Sequence, residues 1–147
     1  MRIKMMTTTA CLSLGLMLAL GPSAFAKQGH ESGENMKLKI PAAVAEILSA
    51  VDVRIGDLEK TIAANTLDKV HVTAFEIRDL LLALPDKPNT LSAEGKTALS
   101  SSLNKIKQQA SLLDKYGDSG DLAQTKAVFG KFKDEIAKIK QLPGLKP

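Results

Sequence analysis

From Leu67 to Leu84 the chain reads LDKVHVTAFEIRDLLLAL, in which Leu67, Val70, Ala74, Ile77, Leu81 and Leu84 follow one another at alternating steps of three and four. That rhythm lays a single apolar stripe along a helix, and such a stripe has to be covered by other helices. It recurs in Val44, Leu48, Val51, Ile55, Leu58 and Ile62; in Leu99, Leu103, Ile106, Ala110 and Leu113; and in Leu122, Thr125, Phe129, Phe132, Ile136 and Ile139. The spacing predicts helices over 41–64, 67–84, 92–116 and 119–142. With short connections between them, the expected fold is all-α, an antiparallel up-down-up-down four-helix bundle. With no Trp, one Tyr and four Phe in 147 residues, the core has to be built from Leu, Ile, Val and Ala.

The breaks between the stripes carry their own chemistry. Pro41 suits a first helical turn, where its missing N–H costs nothing. Asn65-Thr66 is a short turn, with either residue placed to cap the second helix. Pro85 and Pro88 end that helix, since proline cannot continue one. Ser92 is a candidate N-cap for the third helix, and Gly117 is read as its left-handed terminator. Asp118 with Asp121 three residues on resembles an acidic capping box for the fourth. The run Gly117-Asp118-Ser119-Gly120-Asp121 is therefore read as a connecting turn, because it lacks the alternating oxygen ligands and final glutamate of a calcium loop. Gly56 and Gly130 fall inside helices one and four, where they are expected to permit close backbone approach.

Ahead of the first stripe the chain has a different character. Residues 1–26 open with Arg2 and Lys4, run apolar from about Ala10 to Leu20, break at Gly21-Pro22 and end in Ala24-Phe25-Ala26. This is the pattern of a cleaved signal peptide, with an apolar run about half the length of a ~20-residue membrane span. The reading makes the protein periplasmic, with no stable membrane insertion after cleavage. Residues 27–40 are read as a flexible polar leader, and 143–147 as a tail. The only cysteine, Cys11, leaves with the signal, which excludes disulfides, thiolate metal sites and haem attachment through CxxCH. Loss of Arg2 and Lys4 lowers the formal net charge of +4 by two, so nothing points to nucleic acid.

Two histidines are the candidates for chemistry. His71 lies with Phe75 and Arg78 beside the stripe of helix two, where an imidazole can ligate a metal or haem iron. No His, Cys or Met follows three or four residues away, and Glu76 lies elsewhere on the helix. The structural alternative is a half-buried histidine hydrogen-bonded to a neighbouring helix. Arg78 is expected to pair with Asp79 or Asp68. His30 forms a second metal candidate in the leader, with Glu31, Glu34 and Met36. Only cleavage after Lys27 would place His30 third from an amino terminus, the arrangement that holds Cu(II) in a square-planar nitrogen set.

The four-helix layout behind a signal peptide resembles the periplasmic haem bundles of the cytochrome b562 and cytochrome c′ type. In the b562-like family a Met near the start of helix one and a His near the end of helix four hold the iron. Met36 stands near the first position, whereas 136–142 offers only lysines and a glutamine at the second. The segments VHVTAFEIRDLLLALP and LLDKYGDSGD resemble a group of small exported helical proteins associated with heavy-metal efflux systems. The function expected from all this is a non-catalytic exported binding or accessory protein in periplasmic metal-ion handling, with a transition-metal ion or a periplasmic protein as partner. The alternative is a b-type haem-binding electron carrier with Met36 or His71 as an axial ligand.

Overall fold

The computed structural model describes residues 38–145. His30, Met36, the signal-peptide reading and most of the leader lie outside the described residues. Within them the chain forms four α-helices and no strand: α1 (Val44–Ala63), α2 (Val70–Leu82), α3 (Ala93–Asp118) and α4 (Leu122–Gln141). Each helix packs on the next in sequence, and α4 also contacts α1. Their stripes close one apolar core in which Ile47, Leu58, Ile77, Leu80, Leu81, Leu84, Ile106, Leu113, Phe132, Ile136 and Ile139 are all but completely buried.

The stripe residues of helix two are all buried, but the helix itself is shorter than its stripe. Leu67–Lys69 and Leu84–Asp86 are 3₁₀ turns on either side of α2. The tighter turn keeps the stripe facing inward while the backbone changes direction. Pro85 sits in the first turn of the second of these, where it removes no hydrogen bond, so the proline accompanies the exit from α2 instead of blocking it. α1 starts at Val44, not Pro41, and has no side-chain cap.

Two corners end in the same way. At the end of α1, the Thr66 N–H donates to the Thr61 carbonyl at 3.1 Å and the Asn65 N–H to the Ile62 carbonyl at 3.1 Å, with Asn65 at φ 56°. This Schellman arrangement satisfies the last carbonyls of α1. Asn65 thus terminates α1, and neither it nor Thr66 caps the next element through its side chain. At the end of α3, the Asp121 N–H donates to the Tyr116 carbonyl at 2.9 Å and the Gly120 N–H to the Gly117 carbonyl at 3.0 Å, with Gly120 at φ 70°. The left-handed terminator is therefore Gly120, three residues beyond the expected one. Asp121, not Asp118, caps α4 by accepting from the Gln124 N–H at 3.0 Å, and Ser92 caps α3 by accepting from the Gly95 N–H at 3.1 Å.

Gly117 is helical and buried, and it has a different task from the one its sequence position suggested. A Cβ built there would lie 2.8 Å from the Leu67 carbonyl oxygen and 3.4 Å from the Val70 Cβ. The last turn of α3 therefore rides directly on the backbone that leads into α2. Gly56 and Gly130, expected to permit such an approach, have nothing within 4 Å of an added Cβ. The distinction is measurable by urea or thermal unfolding. Gly117→Ala should destabilise by about 1–3 kcal/mol, because backbone atoms have to move. Gly56→Ala and Gly130→Ala should each stabilise by about 0.5–1 kcal/mol, because they restrict the unfolded chain and remove a poor helix former.

Candidate functional site

Two of the polar groupings that bridge helices are opposites in how well they are satisfied. The first centres on Glu135 of α4, which is only 3% exposed although charged. Ser102 of α3 donates its hydroxyl to Glu135 Oε1 at 2.7 Å, Lys105 reaches the same oxygen at 3.4 Å, and Lys138 donates to Oε2 at 2.9 Å. Burial pushes the carboxyl pKa up, but the Ser102 and Lys138 hydrogen bonds and the charges of Lys105 and Lys138 outweigh it, leaving the pKa below its usual value. Both oxygens are occupied and the lysine heads remain in solvent. This is an ion group that fixes α3 against α4, with no capacity left for a ligand.

The second grouping joins the start of α2 to the end of α3. His71, Asp114 and Asp118 bring one ligand atom each to within 4.8 Å of one another. His71 and Asp114 are half-buried and Asp118 is exposed. The contact between Gly117 and Leu67–Val70 produces this meeting. His71 follows Val70 directly, Asp118 follows Gly117, and Asp114 stands one helical turn earlier on the same face as Asp118.

Among the described residues His71 Nδ1 is buried with no hydrogen-bond partner, so the hydrogen bond to a neighbouring helix expected of a structural histidine is not formed through that nitrogen. Neither Asp114 nor Asp118 enters an ion pair among the described residues, a state they share with Glu46, Asp68, Asp86, Glu94, Asp121 and Asp134. Lys115, the one basic residue in the last turn of α3, lies 5.6 Å from the Tyr116 ring centroid and pairs with neither carboxylate. Two like charges four apart repel, and at the carboxyl end of a helix they also oppose its dipole. The cluster is thus short of positive charge.

The rest of the His71 edge is accounted for. Arg78 Nε donates to Asp79 Oδ1 at 2.8 Å, with the guanidinium 4.3 Å from the Phe75 ring centroid. Asp68 takes no part in that pair. Glu76 turns away to accept from Arg54 Nε of α1 at 2.8 Å. A cleft of about 720 Å³ is lined by Ala42, Ala43, Val44, Pro88, Thr90 and Gly144 among others, and none of the described residues lining it is titratable.

Asp114 and Asp118 were invisible as partners of His71 in the sequence. Asp118 looked like a cap, and Asp114 lay off the stripe. A local signal was present, since two acids four apart in the last turn of a helix are electrostatically out of place. What the sequence lacked was the register that brings His71 opposite them. The chain matches no protein-family model, no curated protein and no solved structure. The haem-bundle and efflux-associated resemblances accordingly rest on sequence pattern alone.

The two groupings respond oppositely to neutralisation. Glu135→Gln should cost about 1.5–3 kcal/mol near neutral pH. Because the folded-state pKa of Glu135 is depressed, its contribution is present above the ordinary carboxylate value of about 4.5 and is lost as pH falls through the lower folded value. The stability difference between wild type and Glu135→Gln should therefore shrink below about pH 4.5. Asp118→Asn, in metal-free buffer of low ionic strength, should stabilise by about 0.3–1 kcal/mol. Urea titrations across pH 3 to 7 read both effects.

Proposed function

We propose that this chain is an exported, non-catalytic four-helix bundle of up-down-up-down topology that binds a metal ion at His71, Asp114 and Asp118 and serves as a binding or accessory protein in periplasmic metal handling. The topology is supported by the pairs that link the helices. Glu59 and Asp52 of α1 meet Lys133 and Lys140 of α4, so one helix is read backwards along the other. Arg54 and Glu76 stand at similar distances either side of the Asn65 corner. Export is supported by the signal-type pattern of residues 1–26, and no described helix is long and apolar enough to cross a membrane.

The observation that carries the metal reading is the convergence of one ligand atom each from His71, Asp114 and Asp118 within 4.8 Å, on a histidine that makes no hydrogen bond through Nδ1. Imidazole and carboxylate together are a common ligand set for first-row ions. A cation there would cancel the repulsion between Asp114 and Asp118, oppose the negative end of α3 and engage the His71 ring. The accessory reading is supported by the site's position: none of its three residues lines the 720 Å³ cleft.

The full chain, expressed and recovered from the periplasmic fraction, should bind one equivalent of divalent metal in calorimetric titration. His71→Ala and Asp114→Asn should each weaken that affinity by at least about tenfold. Retention of wild-type affinity in both variants would remove the site.

A further inference from the structure

Resting on the reading that the cluster binds a cation, we infer which cations it takes and how it holds them: the site is an open, exchangeable one for a borderline first-row dication (Zn²⁺, Co²⁺ or Ni²⁺). It is neither a calcium or magnesium site nor a closed structural one.

The donor set decides the class of ion. Calcium takes six to eight oxygens and magnesium demands an octahedral oxygen shell with several retained waters. Here one of three donors is an imidazole nitrogen, which borderline ions bind well and hard ions do not. Backbone carbonyls near the site are also spoken for. Those of Tyr116 and Gly117 accept from Asp121 and Gly120, and that of Lys115 from Ser119. The last turn of α3 therefore has little oxygen to add to a hard ion's shell.

The number of donors decides the mode of holding. Structural zinc is closed by four protein ligands, whereas three leave a position for water or an incoming ligand. Three residues are in reach here, on two elements, and the described sequence supplies no other His and no Cys. Asp118 is exposed at the end of α3 while His71 and Asp114 lie deeper, so an ion enters and leaves from the Asp118 side.

The scaffold keeps the donors close but does not lock all of them. Donors on a common zinc-sized ion at about 2.0–2.2 Å lie about 3–3.5 Å apart, and the cluster, within 4.8 Å, reaches that spacing with side-chain adjustments of an ångström or so at most. Gly117 holds the α3 backbone on the Leu67 carbonyl, which fixes His71 relative to Asp114. Asp118, exposed at the end of α3 and in no ion pair among the described residues, is the donor nearest solvent. An ion held by two deeper donors and one at the surface is one that can be handed on.

Co²⁺ is the probe, added to the metal-free full-length protein while visible absorption is recorded. The expected result is a stoichiometric d–d band, unchanged by millimolar Ca²⁺ or Mg²⁺, abolished by equimolar Zn²⁺, and lost within seconds of adding excess chelator. Asp118→Asn, an exposed change that leaves far-UV circular dichroism intact, should speed release at least tenfold. His71→Ala should remove the band. Displacement of Co²⁺ by Ca²⁺ would overturn the assigned class and leave the cation reading standing. Release over hours would overturn the open site. Absence of binding by every ion would overturn both this inference and the function it rests on.

Discussion

The close passage of Gly117 over the Leu67 carbonyl sets the register between the second and third helices, and much else in the molecule is referred to it. A contact between backbones cannot slide as contacts between side chains do, because carbonyl oxygen and Cα have no rotamers to exchange. Once α3 is seated there, its stripe from Leu99 to Leu113 must meet that of α2, and its end must project over the first turn of α2. The short Ser119–Gly120 corner then leaves α4 no choice of neighbour but α3. One small residue thus fixes a register that four similar apolar stripes would leave degenerate, since such stripes tolerate shifts of a whole turn.

The two polar groupings show what that register does for chemistry. Glu135 is buried more deeply than His71, yet it is the quieter site, because Ser102, Lys105 and Lys138 engage both of its oxygens. Among the described residues His71 Nδ1 has no hydrogen-bond partner, and Asp114 and Asp118 form no ion pair. Burial alone does not distinguish a structural polar group from a functional one. The better criterion is whether the group's bonding capacity is filled, since an unfilled group costs stability that some ligand has to restore.

The helices were legible in the sequence because a three-four alternation sustained over four or more turns admits one interpretation. Every residue of the Leu67–Leu84 stripe is buried, as are those of Leu99–Leu113. The ends were less legible. Gly117 and Gly120 both stand near the close of α3, and only the hydrogen bonds from Gly120 and Asp121 decide which one stops it. Gly56 and Gly130 looked like contact glycines because they interrupt helices, yet open space faces both. The sequence identifies where glycine is unusual; it does not say what lies opposite. The candidate site divides along the same line. His71 was apparent from its own helix, while Asp114 and Asp118 belong to it through an approach between residues more than forty positions apart.

That division bears on why the acids are where they are. An aspartate pair at the negative end of α3 is a small, constant cost to the metal-free fold, and among the described residues neither Asp114 nor Asp118 offsets it with an ion pair. Replacement by neutral or basic residues would suit the helix dipole better. A packing explanation therefore predicts the wrong residues at both positions, as it does for an imidazole left without a hydrogen bond. These departures from what stability alone favours meet in one corner, where ligand atoms of the three residues lie within 4.8 Å of one another. The proposed cation would relieve them together.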